Sequence, residues 1–380
     1  MFGIKNVGWI IYLYSSSLIL LSCGNKDAFS FQGTYSYGDT IEIRSTQKVF
    51  ANQVYLYQMP SNKTFFVYPK WESSKLIGIN IEDQEDSISI KVPFEEVCKY
   101  GYWDIEIIRK DSILLIPDHR GEKKQELVLI SDGKKIASFN IESFGQRPPY
   151  NYSGSHLNRL DYYEGSVYSN IFYQNYQWSS SGELSNPEMF DYPHHTRFSI
   201  ENDSMFSFGY YPKVLKSGGL AHGLVLKARI DSAIVFCYMY QHEMHVYNTN
   251  NLSEFRKIDL AEILGSQTNG KALYQTEREL SIESDLIQSM VYNEHQKRLY
   301  ITYAPAINYK KAGGLEVARW TDKQQRLHVF SKELVHLGSI ELPLDKGFNL
   351  GGAFPIKGGL LCPIQESDSQ NLKYVKVVIP

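Results

Sequence analysis

The feature that most constrains this chain is a two-strand phrase that recurs along it: an apolar strand, a polar turn, then a second strand ending in alternating apolar residues. Four copies stand out. They are Leu76 to Ile81 leading to Ile88-Ser89-Ile90, Leu127 to Ile130 leading to Phe139-Asn140-Ile141, His245 to Tyr247 leading to Ile258-Asp259-Leu260, and His328 to Phe330 leading to Ile340-Glu341-Leu342. This is how the outer two strands of a propeller blade read. With Ile88, Phe139, Ile258 and Ile340 as markers, the first interval has the length of one long blade and the second is more than twice as long. The second therefore fits two blades, with a divergent one around Ser166 to Ile200. The last, intermediate in length, fits one blade with an insertion at Ala261 to Ile287. A final blade over Gly351 to Pro380 brings the count to six, with seven as the alternative, since known propeller repeats run about 40 to 50 residues.

Other strand signals agree. Thr40 to Arg44, Val54 to Tyr57, Phe65 to Tyr68 and Ile88 to Val92 each lie between Asp, Asn, Ser or Gly clusters, the punctuation of antiparallel hairpins. Helical stretches are few, Asp259 to Leu264 among them, which excludes alternating βαβ architectures. The 28 Tyr, 19 Phe and 5 Trp suit half-buried pleated surfaces. The fold class expected is therefore all-β, a six-bladed β-propeller over residues 38–380. Its ring must close, and a blade built from both termini protects the edges. Lys373 to Ile379 and Thr40 to Arg44 are the natural partners.

The N-terminus has a different character. Lys5 is the only charged side chain ahead of Lys26, and the apolar stretches Val7 to Tyr14 and Leu18 to Leu21 follow it, broken by Ser15, Ser16 and Ser17. This is a signal-peptide layout, too short for a bilayer span of about 20 apolar residues. It ends in Leu20-Leu21-Ser22-Cys23-Gly24, which resembles the lipobox of bacterial lipoproteins. The resemblance implies a signal peptide over residues 1–22, a diacylglyceryl group on the Cys23 thiol and a lipidated tether over residues 23–37. The location implied is the cell envelope, at the outer membrane, facing the periplasm or the exterior. Cys98, Cys237 and Cys362 are an odd set whose spacing matches no metal motif. They read as buried small apolar residues with one optional disulfide.

A second resemblance rests on Gly219 to Leu260, with Tyr211 leading in and a hairpin at Ser232 to Tyr247, and on Met290 to Tyr300 followed by Arg326 to Pro343. These segments are similar to a Bacteroidota lipoprotein family of unknown function with a six-bladed propeller fold. The resemblance implies fold and location and supplies no site residues.

Candidate chemistry is sparse. His242-Glu243-Met244-His245 lacks the i, i+4 histidine spacing of a helical zinc site, and on a strand three residues of separation put the two rings on opposite faces. There is no Gly-x-Ser-x-Gly elbow. The glycine pairs at 218, 313, 351 and 358 lack phosphate-loop spacing and read as turns. No catalytic residue, metal site or cofactor is expected. Without residues 1–23, 38 basic side chains face 42 acidic ones, with no basic stripe for nucleic acid. The long irregular segments Pro148 to Tyr163 and Trp178 to His195 are the expected place for a ligand, with His194 and His195 as its polar contacts. Their Tyr, Asn, Ser and His content suits a small neutral ligand. The function expected is a membrane-anchored binding or scaffold protein for a partner protein or small ligand. The alternative is a propeller enzyme acting on glycans, peptides or lactones in the central funnel.

The lipobox makes the first testable statement. Cys23→Ala stops lipidation, so the protein remains an uncut precursor or moves to a soluble fraction, as read by fractionation with lipid labelling. A mature, membrane-bound, unlabelled variant would refute the anchor.

Overall fold

The computed structural model describes residues 36–44, 54–59, 63–98, 102–117, 126–140, 160–170, 191–213, 225–265, 282–308, 322–342, 353–364 and 371–379, with positions 310 and 318. Cys23, the signal segment and most of the two long tyrosine-rich segments lie outside these residues.

Among the described residues, twenty-four strands form six four-stranded antiparallel sheets. The chain opens with β1 (Ser36–Arg44), which begins slightly ahead of the expected domain start. Blade 1 holds β2 (Tyr55–Gln58), β3 (Thr64–Lys70), β4 (Lys75–Asn80) and β5 (Ser87–Lys91). Blade 2 holds β6 (Tyr102–Arg109), β7 (Ser112–Pro117), β8 (Glu126–Ser131) and β9 (Lys134–Asn140). Blade 3 holds β10 (Asp161–Tyr163), β11 (Ser166–Asn170), β12 (Pro193–Ser199) and β13 (Ser204–Tyr210). Blade 4 holds β14 (Val225–Ile230), β15 (Ala233–Tyr238), β16 (Gln241–Asn248) and β17 (Asn251–Asp259). Blade 5 holds β18 (Leu286–Asn293), β19 (Arg298–Ala304), β20 (Gln325–Ser331) and β21 (His336–Leu342). Blade 6 holds β22 (Phe354–Ile356), β23 (Gly359–Pro363) and β24 (Asn371–Val378), completed by β1. This is the six-bladed β-propeller expected, and each quoted phrase falls on the third and fourth strands of a blade. Two helical turns, α1 (Phe94–Val97) and α2 (Ala261–Leu264), follow β5 and β17.

Among the described residues the core is divided over the six gaps between neighbouring blades, with a second small cluster of Tyr240, Leu286 and Ala304 between blades 4 and 5. Tyr55, Phe65 and Leu76 of blade 1 meet Ile105, Ile113 and Leu115 of blade 2. Leu114 and Leu127 meet Val167 and Phe198, and Phe208 meets Phe236. Val235 and Met244 meet Ile287 and Ile301, Val329 and Ile340 meet Leu360 and Val375, and Phe66 and Val54 meet Phe354 and Leu361. A sheet lying between two others buries both faces, so middle strands such as β7 and β23 are buried at every position. The outermost strands cover one face only, and β9 and β17 are mostly exposed. Each fully buried Leu, Ile or Phe contributes about 1.5–3 kcal/mol, so every gap adds to stability, most of all those between blades 1 and 2 and between blades 4 and 5. Cys98, Cys237 and Cys362 are buried and free, each in a different one of these cores. That corrects the optional disulfide, since no two of the thiols share a gap.

Closure runs through β1 and β24, which pair antiparallel with Thr40 opposite Val375, Ile41 opposite Tyr374 and Glu42 opposite Lys373. Behind this seam the fully buried Tyr374 ring lies 4.6 Å from Phe66 of blade 1, centroid to centroid. In blade 6 only glycine fits at position 359, where a Cβ would stand 2.0 Å from the Val377 carbonyl oxygen. Asn293 ties blades 5 and 6, donating to the Ile356 and Gly359 carbonyls at 2.9 and 2.8 Å.

The seam is testable by calorimetry and denaturant titration. Truncation at Lys373 removes the partner of both β1 and β23 and should abolish the cooperative transition. Tyr374→Ala should cost about 3–5 kcal/mol, the usual range for a buried aromatic. An unchanged midpoint in the truncated protein would contradict this account of closure.

Candidate functional site

The two mouths of the ring are unlike. Because the strands of a blade alternate in direction, the connections from first to second and third to fourth strands fall at one mouth. Between described strands these are tight turns, none longer than the stretch from Ile81 to Asp86. The connections from second to third strands, and from one blade to the next, fall at the other mouth. Four of those are several times longer than such a turn, at positions 141–160, 171–192, 260–285 and 305–324. Two of the four, the 141–160 and 171–192 connections, enter β10 and β12 of blade 3.

The innermost strands differ as well. In β2, β18 and β22 no residue is charged. On three consecutive blades the innermost strands carry Asp104 and Glu106 (β6), Asp161 (β10), and Lys227 and Arg229 (β14). Alternation turns Asp104 and Glu106 toward blade 3, while Lys227 and Arg229 face it from blade 4. The Arg229 Nε donates to both Asp161 oxygens at 2.9 and 3.1 Å, and its guanidinium lies 4.4 Å over the Tyr163 ring. Asp104 accepts the Leu160 and Ile105 backbone N–H groups. Lys227 Nζ donates to the Tyr168 carbonyl at 3.3 Å. No described residue hydrogen-bonds the Glu106 carboxyl.

Glu106 keeps part of its surface accessible, yet protein surrounds it, as befits a side chain in a narrow channel. Burial, and then the Asp161 and Asp104 charges, push its pKa up to about 8, against the pull of Lys227 and Arg229. Burial also lowers the Lys227 ammonium, with the same three carboxylates opposing the shift. Among the described residues no group of three or more His, Cys, Asp or Glu side chains could hold a metal ion.

Behind this wall, in the gap between blades 3 and 4, runs a chain of polar side chains. His194 and His195 lie on β12, with relative exposures of 1% and 0%. That corrects their expected place in a loop. Adjacent strand residues ordinarily face opposite ways, but both rings pack against Phe236 of blade 4. Gly209 permits this: its φ is +75°, and a Cβ there would stand 2.5 Å from the His194 ring. The two Nδ1 atoms are 2.6 Å apart, and His194 Nε2 lies 3.2 Å from the Tyr238 hydroxyl. That hydroxyl is 2.9 Å from both His245 Nδ1 and the Tyr210 carbonyl. His245 Nε2 meets Glu243 at 2.8 Å, and Glu243 pairs with Lys257 near the surface. His242 faces the other way, 3.9 Å from Asp285, as strand alternation requires.

The hydrogens in this chain follow from counting donors. An ionised Glu243 only accepts, and although burial works against its charge, the His245 and Lys257 bonds keep its pKa low. His245 Nε2 therefore carries a hydrogen. Tyr238 has one hydroxyl hydrogen, and the two shorter contacts claim it: Tyr210 when His245 is charged, His245 Nδ1 when it is neutral. Toward His194 the Tyr238 oxygen accepts in both cases, so His194 holds its hydrogen on Nε2 and accepts on Nδ1 from His195. Burial pushes the pKa values of both rings far down, which keeps them neutral. His195 Nε2 is left as a bare lone pair, buried and without a described partner. Lys227 is the cation that acts on this ring.

Sequence reasoning missed the channel wall. The signal was present as Val225-Leu-Lys-Ala-Arg-Ile230 and Tyr102-Trp-Asp-Ile-Glu-Ile107, charges set at alternate positions in strands that the fold encloses on both sides. A raised carboxyl pKa favours the folded state at low pH. That contribution is complete below the ordinary glutamate range and is lost as pH rises through about 8. Glu106→Gln should therefore raise the melting temperature at pH 9 and leave it unchanged at pH 4. A variant with no gain at pH 9 would contradict the enclosed, like-charged setting.

No protein-family model and no curated protein matches the chain. Among solved structures, it is similar to a member of the DUF4221 family from Bacteroides vulgatus, at 12% identity and a TM-score of 0.62, over 92% of this chain and 99% of that one. It also aligns with a Bacteroides fragilis protein described as exported, at 9% identity and a TM-score of 0.45, over 90% of this chain and 95% of that one. A luciferin-regenerating enzyme aligns at 10% identity and a TM-score of 0.42, over 90% and 97% of the two chains. The first likeness extends over nearly the whole of both chains, and what the chain shares with the Bacteroides vulgatus protein is the fold.

Proposed function

We propose that the protein is a binding propeller, anchored in the cell envelope by lipid on Cys23, that takes a small polar ligand or a partner's side chain at the mouth bearing the long connections. The observation that carries this reading is the coincidence of two asymmetries. Charged residues occur on the innermost strands of blades 2, 3 and 4 alone, and Asp104, Asp161 and Lys227 lie in the first three positions of theirs, beside the mouth with the longest connections. Neither asymmetry serves the fold, which buries apolar side chains in all six gaps. Loops on a rigid scaffold are where binding residues concentrate. The charges also shift the ligand from the neutral one expected toward one with charge of its own. His194 and His195, being buried, act from behind the wall and do not meet solvent at the mouth.

A catalytic reading has one observation in its favour. A carboxyl whose pKa is near 8, beside the ion-paired Asp161, could serve as a general acid on a glycan, peptide or lactone. Turnover of such a substrate, lost in Glu106→Gln with binding retained, would move the assignment to that class.

The binding reading is tested by thermal shift on the full chain in detergent, against amino acids, short peptides and oligosaccharides. A ligand at a hundred times its Kd should stabilise by about 2.7 kcal/mol, and Lys227→Met or Asp161→Asn should remove the shift. His194→Ala combined with His195→Ala should chiefly lower the melting temperature of the free protein. A ligand whose shift survives both channel variants would place its site elsewhere.

A further inference from the structure

At the mouth with the long connections, three aromatic rings stack over the gap between blades 1 and 2. Trp71 opens the 3-10 turn that joins β3 to β4, Phe94 opens α1 and Tyr102 opens β6. The Trp71 ring centroid lies 4.4 Å from Phe94 and 5.3 Å from Tyr102, and those two lie 6.1 Å apart. These separations form a compact triangle with an acute angle at Trp71, so neither ring covers the side of the indole opposite the other. Phe94 and Tyr102 pack into the core between the two blades, whereas Trp71 is 36% exposed. No described residue adds a further ring contact to Trp71 or accepts from its indole N–H. The backbone beneath is fixed. The Trp71 carbonyl accepts the Ser74 N–H at 3.1 Å, and the Ser74 carbonyl accepts the N–H of Val92, two residues ahead of Phe94, at 2.9 Å. The rim is polar: Glu72 follows Trp71, and Glu95 and Glu96 follow Phe94. All three are exposed, and no described residue bonds to or pairs with their carboxylates. Lys70, which precedes Trp71, brings a donor.

We propose that this platform is a subsite for a sugar ring: a neutral pyranose unit of a glycan, packed by its C–H face on the open side of Trp71 and held by its hydroxyls at the polar rim. It deepens the binding reading above, on which it rests for the choice of mouth, and names the ligand as a saccharide. A pyranose has an apolar face of ring C–H groups, fringed by hydroxyls that donate to carboxylates and accept from the indole N–H and Lys70. An aliphatic or aromatic side chain would cover the indole and leave that rim without partners. A quaternary ammonium is held where ring faces surround it. Here interplanar angles of 42°, 28° and 15° leave the rings as a shelf and not a cage. A stacked indole on a pinned turn has little freedom to lose when a ligand arrives, so little of the contact is lost to ordering. Tyr102 stands two residues ahead of Asp104 on β6, about 7 Å along the strand, so one oligosaccharide can span the platform and the charged wall.

Trp71 reports on its own site, so the test is fluorescence and calorimetry on the full chain, in a detergent without a sugar headgroup. Maltohexaose, mannohexaose and chitohexaose are titrated, with tetramethylammonium and indole as the cationic and flat aromatic controls. The expected result is that at least one oligosaccharide binds and shifts the emission of the unaltered protein. Most of that shift should be lost in Trp71→Phe, which keeps a ring on the stack. Trp71→Ala should weaken binding about tenfold or more. Glu72→Ala combined with Glu95→Ala, on exposed side chains outside the core, should weaken it about threefold or more. The emission of the unaltered protein and the glutamate pair keep the test decisive even if Trp71→Ala folds poorly. A saccharide that binds without changing the emission, and whose binding survives these variants, overturns the platform; if Lys227→Met or Asp161→Asn abolishes that binding, the binding reading stands without it. If no oligosaccharide binds, whether or not tetramethylammonium or indole does, the sugar assignment falls, and the binding reading then rests on the amino acids and peptides alone.

Discussion

Everything else in this molecule depends on the ring being closed. A four-stranded sheet here has no core of its own, because its apolar residues are completed only by a neighbour on each side, and six such gaps exist only if the last blade meets the first. The β1–β24 ladder supplies that meeting, and Tyr374 against Phe66 turns it into packing across the sixth gap. Closure also brings six innermost strands around one axis. The channel and its lining are thus products of the same hydrogen bonds that join the two ends of the chain.

Two-sided burial also explains what could be read from the sequence. Third and fourth strands announce themselves because the fourth covers one face and alternates, as in Leu127 to Ile130 followed by Phe139. The terminal strands were legible for the same reason, and their pairing followed from the need to hide two edges. First and second strands carry little period. Ser112 to Pro117 is buried throughout, and a continuous apolar run could belong to several architectures. The channel charges were missed for a related reason. Lys227 and Arg229 alternate with Leu226, Ala228 and Ile230, which reads as an ordinary half-exposed strand until the ring shows that the polar side faces blade 3 and the channel.

His194 and His195 failed for a different cause. Two adjacent histidines after proline, at the end of a long polar segment, have the composition of a loop, and no local rule predicts that both enter one blade gap. The decisive residue lies on the next strand, outside any local window: with a side chain on Gly209, the His194 ring would have no place to lie. Tertiary contact overrides local composition here. It also explains why His242 and His245, three apart on one regular strand, were separated correctly by alternation alone.

In the gap between blades 3 and 4 a polar chain runs beside the apolar cluster, and its cost bears on its purpose. Apolar side chains fill the comparable gap between blades 1 and 2, so nothing in the architecture demands imidazoles. Two neutral histidines, a tyrosine hydroxyl and a His–Glu pair give up hydration that their mutual hydrogen bonds only partly return. What the arrangement gains is direction. Each group fixes the hydrogen of the next, from the Lys257–Glu243 pair at the surface to His195 beside Lys227. A hydrophobic gap would hold the blades together equally well, without that direction.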